Sequence, residues 1–499
     1  MDISLLLKMA ADCEPERIGL TCEGRAWSFT ELWAAATGAA RLIEESGCSH
    51  VALLDTSSEA ASIALFGAAL AGVPYCPLNY RLADEDLVGL LARLQPALVI
   101  GDVARVRRLA PADGFTLLAR ADFVRKVEAA ADAGREPGAG EGIAVQLFTS
   151  GTTAAPKAAI LRHANLLSYI LGTIDFGSAD PSEAALVSVP PYHIAGIAAL
   201  LSSIYSMRRI ILLPAFDPEE WLRLASDERA TNAFVVPTML ARIVEALNRL
   251  DPAPNLSSLR AIAYGGGRMP VELIDRALEL FPNTGFTNAY GLTETSSTIA
   301  LLGPDEHRAA HQASDPAVRA RLGSVGKPLP SIELEIRDDE GHVVSAGAPG
   351  EIYVRGPQVS GEYRERSALT SDGWFPTRDA GYLDDEGYLF LSGRADDVIV
   401  RGGENISPGE IEDVLMSHPA VADAAAVGIP SSEWGEAVAV AIVSRGEPSS
   451  TDEELRELIR VRLRSSRVPE RIARFEALPY NEMGKLLRRE VKRMLQENC

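Results

Sequence analysis

Cysteine is scarce in this 499-residue chain. Its five cysteines, Cys13, Cys22, Cys48, Cys76 and Cys499, are odd in number and form no C-x-x-C pair. That excludes a disulfide framework and suits a reducing cytoplasm. Basic charge is also short: 69 acidic residues against 48 basic ones leave a net charge of −21. A surface this negative repels phosphate backbones and anionic lipid, so neither nucleic acid nor a membrane surface is an expected partner. Long apolar runs are missing too. The longest, about Ala60 to Cys76, is interrupted by Ser62, Gly67, Gly72 and Pro74 and falls short of the roughly 20 residues of a membrane span. It reads as a buried helix feeding a strand. The opening MDISLLLKMAADCEPER lacks the basic, apolar and cleavable order of a secretory signal, so no targeting segment is expected. Internal repeats and low-complexity tracts are absent, which removes solenoid and disordered-scaffold readings.

Hydrophobic residues make up 47% of the chain, enough at this length for two or three cores. SFTELWAAATGAARLIEE keeps helical spacing at Leu32, Ala35, Ala36, Ala39, Ala40 and Ile43, with Ser28 and Glu31 as a capping box. Strand candidates at Val51 to Thr56, Ala97 to Asp102 and Ala144 to Ser150 alternate with helical stretches, and LVSVP, RIILLP, AFVVP and RAIAYGG continue the series. Such alternation implies layered α/β sheets. Ala131 to Gly142 and Gly303 to Pro316 are polar and unpatterned and read as loops. After about Val354 short strands and turns take over. The end is helix-rich, with Thr451 and Glu454 forming a second capping box. The fold expected is α/β: a large N-terminal domain of layered α/β subdomains, residues 1–394, and a small C-terminal α+β domain, residues 395–499.

Chemistry concentrates in a few places. QLFTSGTTAAPKAAIL places Thr149, Ser150, Gly151, Thr152 and Thr153 directly after an apolar strand, closed by Pro156 and Lys157. Backbone amides, hydroxyls and one lysine in such a loop make a cradle for polyphosphate, although taken alone the segment also suits a surface turn. It is not a G-x-x-x-x-G-K-[ST] loop, which disfavours a Walker-type ATPase. FTNAYGLTETSS offers Asn288, Tyr290, Thr293 and Glu294. A carboxylate beside a hydroxyl suits an oxygen-only magnesium site shared with phosphates, and a capped helix start at Thr293 is the alternative. Further on come Asp379, Arg394 and Asp396, and near the terminus Lys485 in NEMGKLLRR. A carboxylate there could hold vicinal ribose hydroxyls and an arginine a phosphate or ribose.

With these blocks in this order, from the SFTEL helix to Lys485, the chain resembles the superfamily of adenylate-forming enzymes that contains acyl- and aryl-CoA synthetases, firefly-type luciferases and amino-acid adenylation domains. The resemblance implies ATP, Mg2+ and coenzyme A as the small molecules. It implies that Thr149, Ser150, Gly151, Thr152, Thr153 and Lys157 grip phosphates, with Ala154 and Ala158 standing where the family pattern TSGTTGxPKG has glycines. It places Asn288, Ala289, Tyr290, Gly291 and Thr293 on the nucleotide and Glu294 on the metal. Gly265, Gly266 and Gly267 would lie along adenine and line the acyl pocket, where a missing side chain permits close approach. Asp379 takes the ribose position, with Arg378 where the family's TGD has glycine, and Arg394 also meets the nucleotide. Asp396 is the implied hinge of a mobile C-terminal domain, and Lys485 the catalytic lysine that meets charge building on the phosphoryl oxygens. His193, in PPYHIAGIAAL, resembles a gate beside the acyl pocket, with a packed histidine as the alternative. Lys485, Glu294 and His193 are thus the implied catalytic side chains.

The resemblance implies that amino-acid adenylation domains carry here an aspartate for the substrate ammonium; PPYHIAGIAAL has no acid, and an ammonium is costly to bury alone, so an α-amino acid is disfavoured. Tyr192, Ala195 and Gly196 suggest an apolar pocket, leaving aryl, aliphatic and polycyclic carboxylic acids open. Arg401, Gly402 and Gly403 in VRGGENISPGEIE resemble the CoA-ligase form, which favours coenzyme A as acceptor. A phosphopantetheinyl carrier protein is the alternative, a nucleotide-binding scaffold without turnover a third, and a homodimer the default assembly.

Overall fold

The computed structural model describes the chain except for residues 110–113, 132–133, 150–155, 395–396, 403, 432–433, 447–449, 482–485 and 498–499, and the side chain of residue 405. Two large sheets carry the N-terminal part. The first runs, in spatial order, Arg366–Ser367, Glu362–Tyr363, Lys157–Arg162, Ile143–Thr149, Tyr75–Pro77, His50–Leu54, Ala97–Gly101 and Phe115–Leu118. The second runs Lys327–Pro328, Ser297–Leu302, Gly285–Leu292, Ala261–Gly265, Asn232–Val235, Ala184–Val187, Arg209–Leu212, Ile18–Cys22 and Arg25–Ser28. The strand candidates read from the sequence therefore appear as strands, within two or three residues at their ends.

Helices lie between the sheets because they are apolar on more than one face. Leu53 and Ile100 of the first sheet, Leu20 and Ile210 of the second, and Leu32, Leu65 and Leu201 of the helices belong to one continuous core. In the helix Glu59–Ala71 every residue from Ala60 to Leu70 is buried, the behaviour of a helix without a polar face. Its partner is Phe29–Ser46, capped by Ser28 and Glu31 as the sequence suggests. The two approach so closely that a Cβ on Gly67 would sit 2.5 Å from Ala39 Cβ.

One expectation fails. Residues 304–312 are not a loop but a helix, Pro304–Gln312, with proline in its first turn and Glu306 accepting from the Gly303 N–H at 2.6 Å. Its buried stripe is only His307 and Ala310, so no apolar periodicity marks it. His307 fills the stripe by using both ring nitrogens, one on the Gly303 carbonyl and one on the Tyr264 hydroxyl, each at 2.8 Å.

A four-stranded sheet, Glu333–Arg337, Gly350–Arg355, Phe375–Leu383 and Leu389–Arg394, completes the large domain. The smaller C-terminal α+β domain has its own sheet of Glu404–Ile406, Ile399–Arg401, Gly435–Ser444 and Val421–Ser431, with Arg471–Arg474 joined in parallel to Gly435–Ser444. The helices Pro408–Met416 and Asp452–Arg462 pack on one face of it and Arg488–Glu497 on the other. The Thr451 and Glu454 capping box is formed. The two domains touch where the Ser407 hydroxyl donates to the Ser392 carbonyl at 2.6 Å and where Arg268 pairs with Asp413. Among the described residues no helix is long and apolar enough to cross a membrane.

Candidate active site

The strand Gly285–Leu292 ends in a tight 3-10 turn, Thr293–Thr295, and the chain doubles straight back into Ser297–Leu302. The reversal is so close that a Cβ at Gly291 would lie 1.8 Å from the Ser297 carbonyl oxygen, and Ser296 and Ser297 take φ of 56° and 111°. Thr295 Oγ1 pins the turn by accepting from the Leu292 N–H at 2.9 Å and donating to the Ser297 carbonyl at 2.8 Å. The turn carries Glu294 inward, where it is only 8% exposed. Glu294 Oε1 accepts from the Tyr363 hydroxyl at 2.6 Å. Among the described residues no lysine or arginine pairs with Glu294, and a buried carboxylate without a counter-charge is costly. A divalent cation would supply that charge. Mg2+ suits a single carboxylate, because it keeps waters and substrate phosphates as ligands and needs few protein oxygens.

Four residues upstream, Tyr290 reaches the four-stranded sheet. Its hydroxyl donates to Asp379 Oδ2 at 2.7 Å, and Arg394 donates to Asp379 Oδ1 at 3.1 Å from the cross-strand position. Burial and the Asp379 charge push the Tyr290 phenol well up, so it stays a donor. An ionised carboxylate has about four lone-pair sites, so Asp379 keeps capacity for ribose hydroxyls. Arg378, at the resemblance's glycine position, adopts φ of 63°. The left-handed backbone that a glycine would supply is thus kept by an arginine, whose N–H donates to Glu351 Oε1 at 3.2 Å.

Thr149 and Lys157 face each other as cross-strand partners, with Thr149 Oγ1 3.5 Å from the Lys157 carbonyl. Arg93 donates to the Pro156 carbonyl at 2.7 Å. Lys157 Nζ lies 5.8 Å from the centre of the Tyr363 ring. Ala158 is a buried strand residue paired with Phe148, without positive φ, so alanine there brings no backbone strain. Ser150, Gly151, Thr152, Thr153 and Ala154 lie outside the described residues, as do Asp396, Gly403 and Lys485.

Gly265 pairs with Ala289 in the parallel sheet, and a Cβ on it would meet the Ala289 carbonyl at 2.2 Å. Gly266 needs its freedom differently, with φ of 78°, and Gly267 follows before Arg268. Asn288 is buried and its Nδ2 donates to the Ser324 carbonyl at 3.0 Å. Thr293 opens the 3-10 turn rather than capping an α-helix.

His193 precedes the helix Ile194–Tyr205, its ring tilted by 54° against Tyr192 with centres 4.6 Å apart, while Tyr192 meets Tyr80 edge-on at 5.8 Å. Its Nε2 is buried without a partner among the described residues, and burial pulls the imidazole down to about 4. A Cβ on Gly196 would meet the Pro190 carbonyl at 2.8 Å, so its missing side chain serves the close packing of that helix. Beside this segment a cavity of about 120 Å³ is lined by Tyr80, Arg81, Pro190, Phe216, Met239 and Arg242.

The chain matches two family descriptions: AMP-binding enzyme over residues 7–364, and AMP-binding enzyme C-terminal domain over residues 410–485. The chain belongs to the AMP-binding enzyme family. A 2-succinylbenzoate-CoA ligase of Bacillus cereus (strain AH820) is 32% identical over 499 residues, 98% of each chain. The o-succinylbenzoate CoA synthetase MenE of Bacillus subtilis, solved with its acyl-adenylate intermediate, shares the fold with a TM-score of 0.84 at 30% identity, over 98% of this chain and 97% of that one. The amide bond synthetase McbA of Marinactinospora thermotolerans has a TM-score of 0.86 at 28% identity, over 99% of each. This AMP-binding enzyme stands in the acyl- and aryl-CoA ligase branch of the adenylate-forming superfamily, whose small molecules are ATP with Mg2+ and coenzyme A.

In this AMP-binding enzyme the structure unites two clusters through the segment from Tyr290 to Glu294: Lys157, Tyr363 and Glu294 on one side, and Tyr290, Asp379 and Arg394 on the other. It does not bring Arg401 to them. Arg401 donates to the Ser466 carbonyl and Glu470 at 2.8 and 2.7 Å, and the Gly402 N–H donates to the Trp434 carbonyl at 2.8 Å, all within the C-terminal domain. Sequence reasoning missed Tyr363. It sits 69 residues from Glu294 on a two-residue strand, too short for any periodicity to single it out.

Proposed function

We propose that this chain converts an aromatic dicarboxylic acid of the 2-succinylbenzoate type to its CoA thioester, through an acyl adenylate. One observation carries the site assignment: the buried Glu294, without a cationic partner among the described residues, is joined through Tyr290 to the Asp379 and Arg394 pair. That spacing offers a metal ligand at one end and a ribose acceptor at the other. The substrate carboxylate attacks the α-phosphorus of ATP, releasing pyrophosphate, and the thiol then attacks the acyl carbon, releasing AMP. Glu294 would hold Mg2+, which would supply positive charge against the phosphates, Asp379 and Arg394 orient the nucleoside, and Lys157 and Lys485 meet the phosphoryl oxygens. The names of the relatives and the arginines Arg81 and Arg242 at the cavity beside His193 support an acid with a second anionic group.

The domains are proposed to divide at residues 394 and 395, between a sheet that ends at Arg394 and another that begins at Ile399. Asp396 then serves as the hinge for motion between the two half-reactions. The cytoplasm is the proposed compartment, the described cysteines Cys13, Cys22, Cys48 and Cys76 being free thiols.

The test is acid-dependent pyrophosphate release across a panel of aryl mono- and dicarboxylates and aliphatic acids, followed by product analysis with CoA, a phosphopantetheinyl carrier and a simple amine as acceptors. Release that is strongest with aryl dicarboxylates, and a CoA thioester as product, is expected. No release with any acid overturns the assignment. Thioester on the carrier alone, or amide alone, overturns the acceptor. Lys485→Ala should cripple adenylate formation while sparing thioester formation from supplied acyl adenylate.

A further inference from the structure

We propose that Tyr363 is a positioning residue for adenylate formation, its hydroxyl fixing the carboxylate of Glu294 and its ring bearing against Lys157, so that one side chain sets metal ligand and phosphate-loop lysine relative to each other. The inference rests on the reading of Glu294 as the magnesium ligand.

The geometry has three parts. The hydroxyl donates to Glu294 Oε1 at 2.6 Å, leaving Oε2 as the oxygen available to a cation. The ring centre lies 5.8 Å from Lys157 Nζ, within the range at which an ammonium is attracted to an aromatic face. The backbone that carries Tyr363 is anchored to both partners' elements. Glu362 and Tyr363 pair antiparallel with Ile160 and Ala159 of the strand that Lys157 opens, and the Arg364 N–H donates to the Ala158 carbonyl at 3.0 Å. The Ser360 and Gly361 N–H groups donate to the Glu294 carbonyl at 2.9 and 3.1 Å.

Charged pairs fasten the ends of this short strap. Arg162 forks onto Glu362 with two bonds of 2.8 Å, and Arg93, which also holds the Pro156 carbonyl, reaches Glu365 at 2.7 Å. A phenylalanine would keep the ring beside Lys157 and delete only the bond to Glu294. A leucine would delete both.

The experiment titrates the full-length enzyme calorimetrically with ATP over a series of Mg2+ concentrations, with ATP in chelator, and with AMP. It compares the unmodified chain with Tyr363→Phe, Tyr363→Leu and Glu294→Gln. Tyr363→Phe is expected to raise the half-saturating Mg2+ for ATP binding about five- to tenfold while AMP affinity stays within about twofold. Tyr363→Leu should add a loss of about threefold in metal-free ATP affinity, because Lys157 loses its aromatic support. Glu294→Gln should raise the magnesium requirement further.

If Glu294→Gln raises that requirement and Tyr363→Phe leaves it unchanged, the role of Tyr363 is overturned while that of Glu294 stands. If Glu294→Gln itself changes nothing, the metal-ligand reading falls and this inference with it. Equal weakening of AMP and Mg2+-dependent ATP binding in Tyr363→Phe also overturns the proposal, since it marks a merely structural residue. AMP binding reports on an intact fold in every variant.

Discussion

The Tyr290 hydroxyl donates to Asp379 Oδ2 at 2.7 Å from a strand of one sheet to a strand of another, 89 residues away. The bond ties the turn that carries Glu294 to the carboxylate proposed to hold ribose. Tyr290→Phe should cost about 1–3 kcal/mol of stability, because it withdraws a donor from a buried charged acceptor. It should also weaken AMP binding, since Asp379 loses one of its two orienting contacts. Denaturant unfolding and an AMP titration check both. Unchanged AMP affinity would show that Arg394 alone orients Asp379.

Arg394 and Asp379 should behave as a coupled pair. In a double-mutant cycle of Arg394→Met and Asp379→Asn, the interaction energy in AMP binding is expected at about 0.5–3 kcal/mol. Additive losses would mean that each side chain meets the nucleotide independently.

Arg378 holds φ of 63° without being a glycine. Left-handed backbone costs an L-residue about 1–2 kcal/mol, and asparagine tolerates it better than most. Arg378→Asn should therefore be neutral or stabilising by up to about 1 kcal/mol, whereas Arg378→Val should destabilise by more than about 1 kcal/mol. Thermal unfolding of the two variants decides, and equal midpoints would count against backbone strain at this site.

His193 sets a pH dependence with a definite sign. Burial lowers its pKa from 6.5 to about 4, so as pH falls the unfolded chain takes up the proton first. Its contribution to stability is complete above about pH 6.5 and is lost progressively toward pH 4, reaching about 2 kcal/mol of loss at pH 5. His50, His163 and His307 are lowered in the same direction by burial, so the test is a comparison. His193→Gln should lose less stability than the unmodified chain between pH 7 and pH 5. Parallel stability curves for the two chains would refute the assignment.

The family and most of the architecture were readable in the order of short motifs. Strands such as His50–Leu54 announce themselves by a short apolar run, and the helix Phe29–Ser46 by its period and capping box. The helix Pro304–Gln312 was hidden because a doubly bonded histidine, not an apolar residue, fills its buried stripe. Gly196 has a packing role that only coordinates show, since the Pro190 carbonyl stands where its side chain would go. Tyr363 was invisible for a third reason: its meaning lies in two partners, 69 and 206 residues distant, and no local pattern encodes a contact at that range.

The placement of Glu362–Tyr363 outside Lys157–Arg162 also bears on how the chain is made. Until residues 360–364 have been synthesised and docked, the strand beyond the phosphate loop is an open sheet edge, with unpaired N–H and C=O groups ready to template another chain. Its interior residues Ala158 to Leu161 are apolar and buried in the finished protein, the composition that makes an exposed edge sticky. A nascent chain or a fragment that stops short of residue 360 should therefore aggregate through this edge. The strap that completes the site thus doubles as the seal on the first large sheet, closing late because its pairing spans about 200 residues of chain.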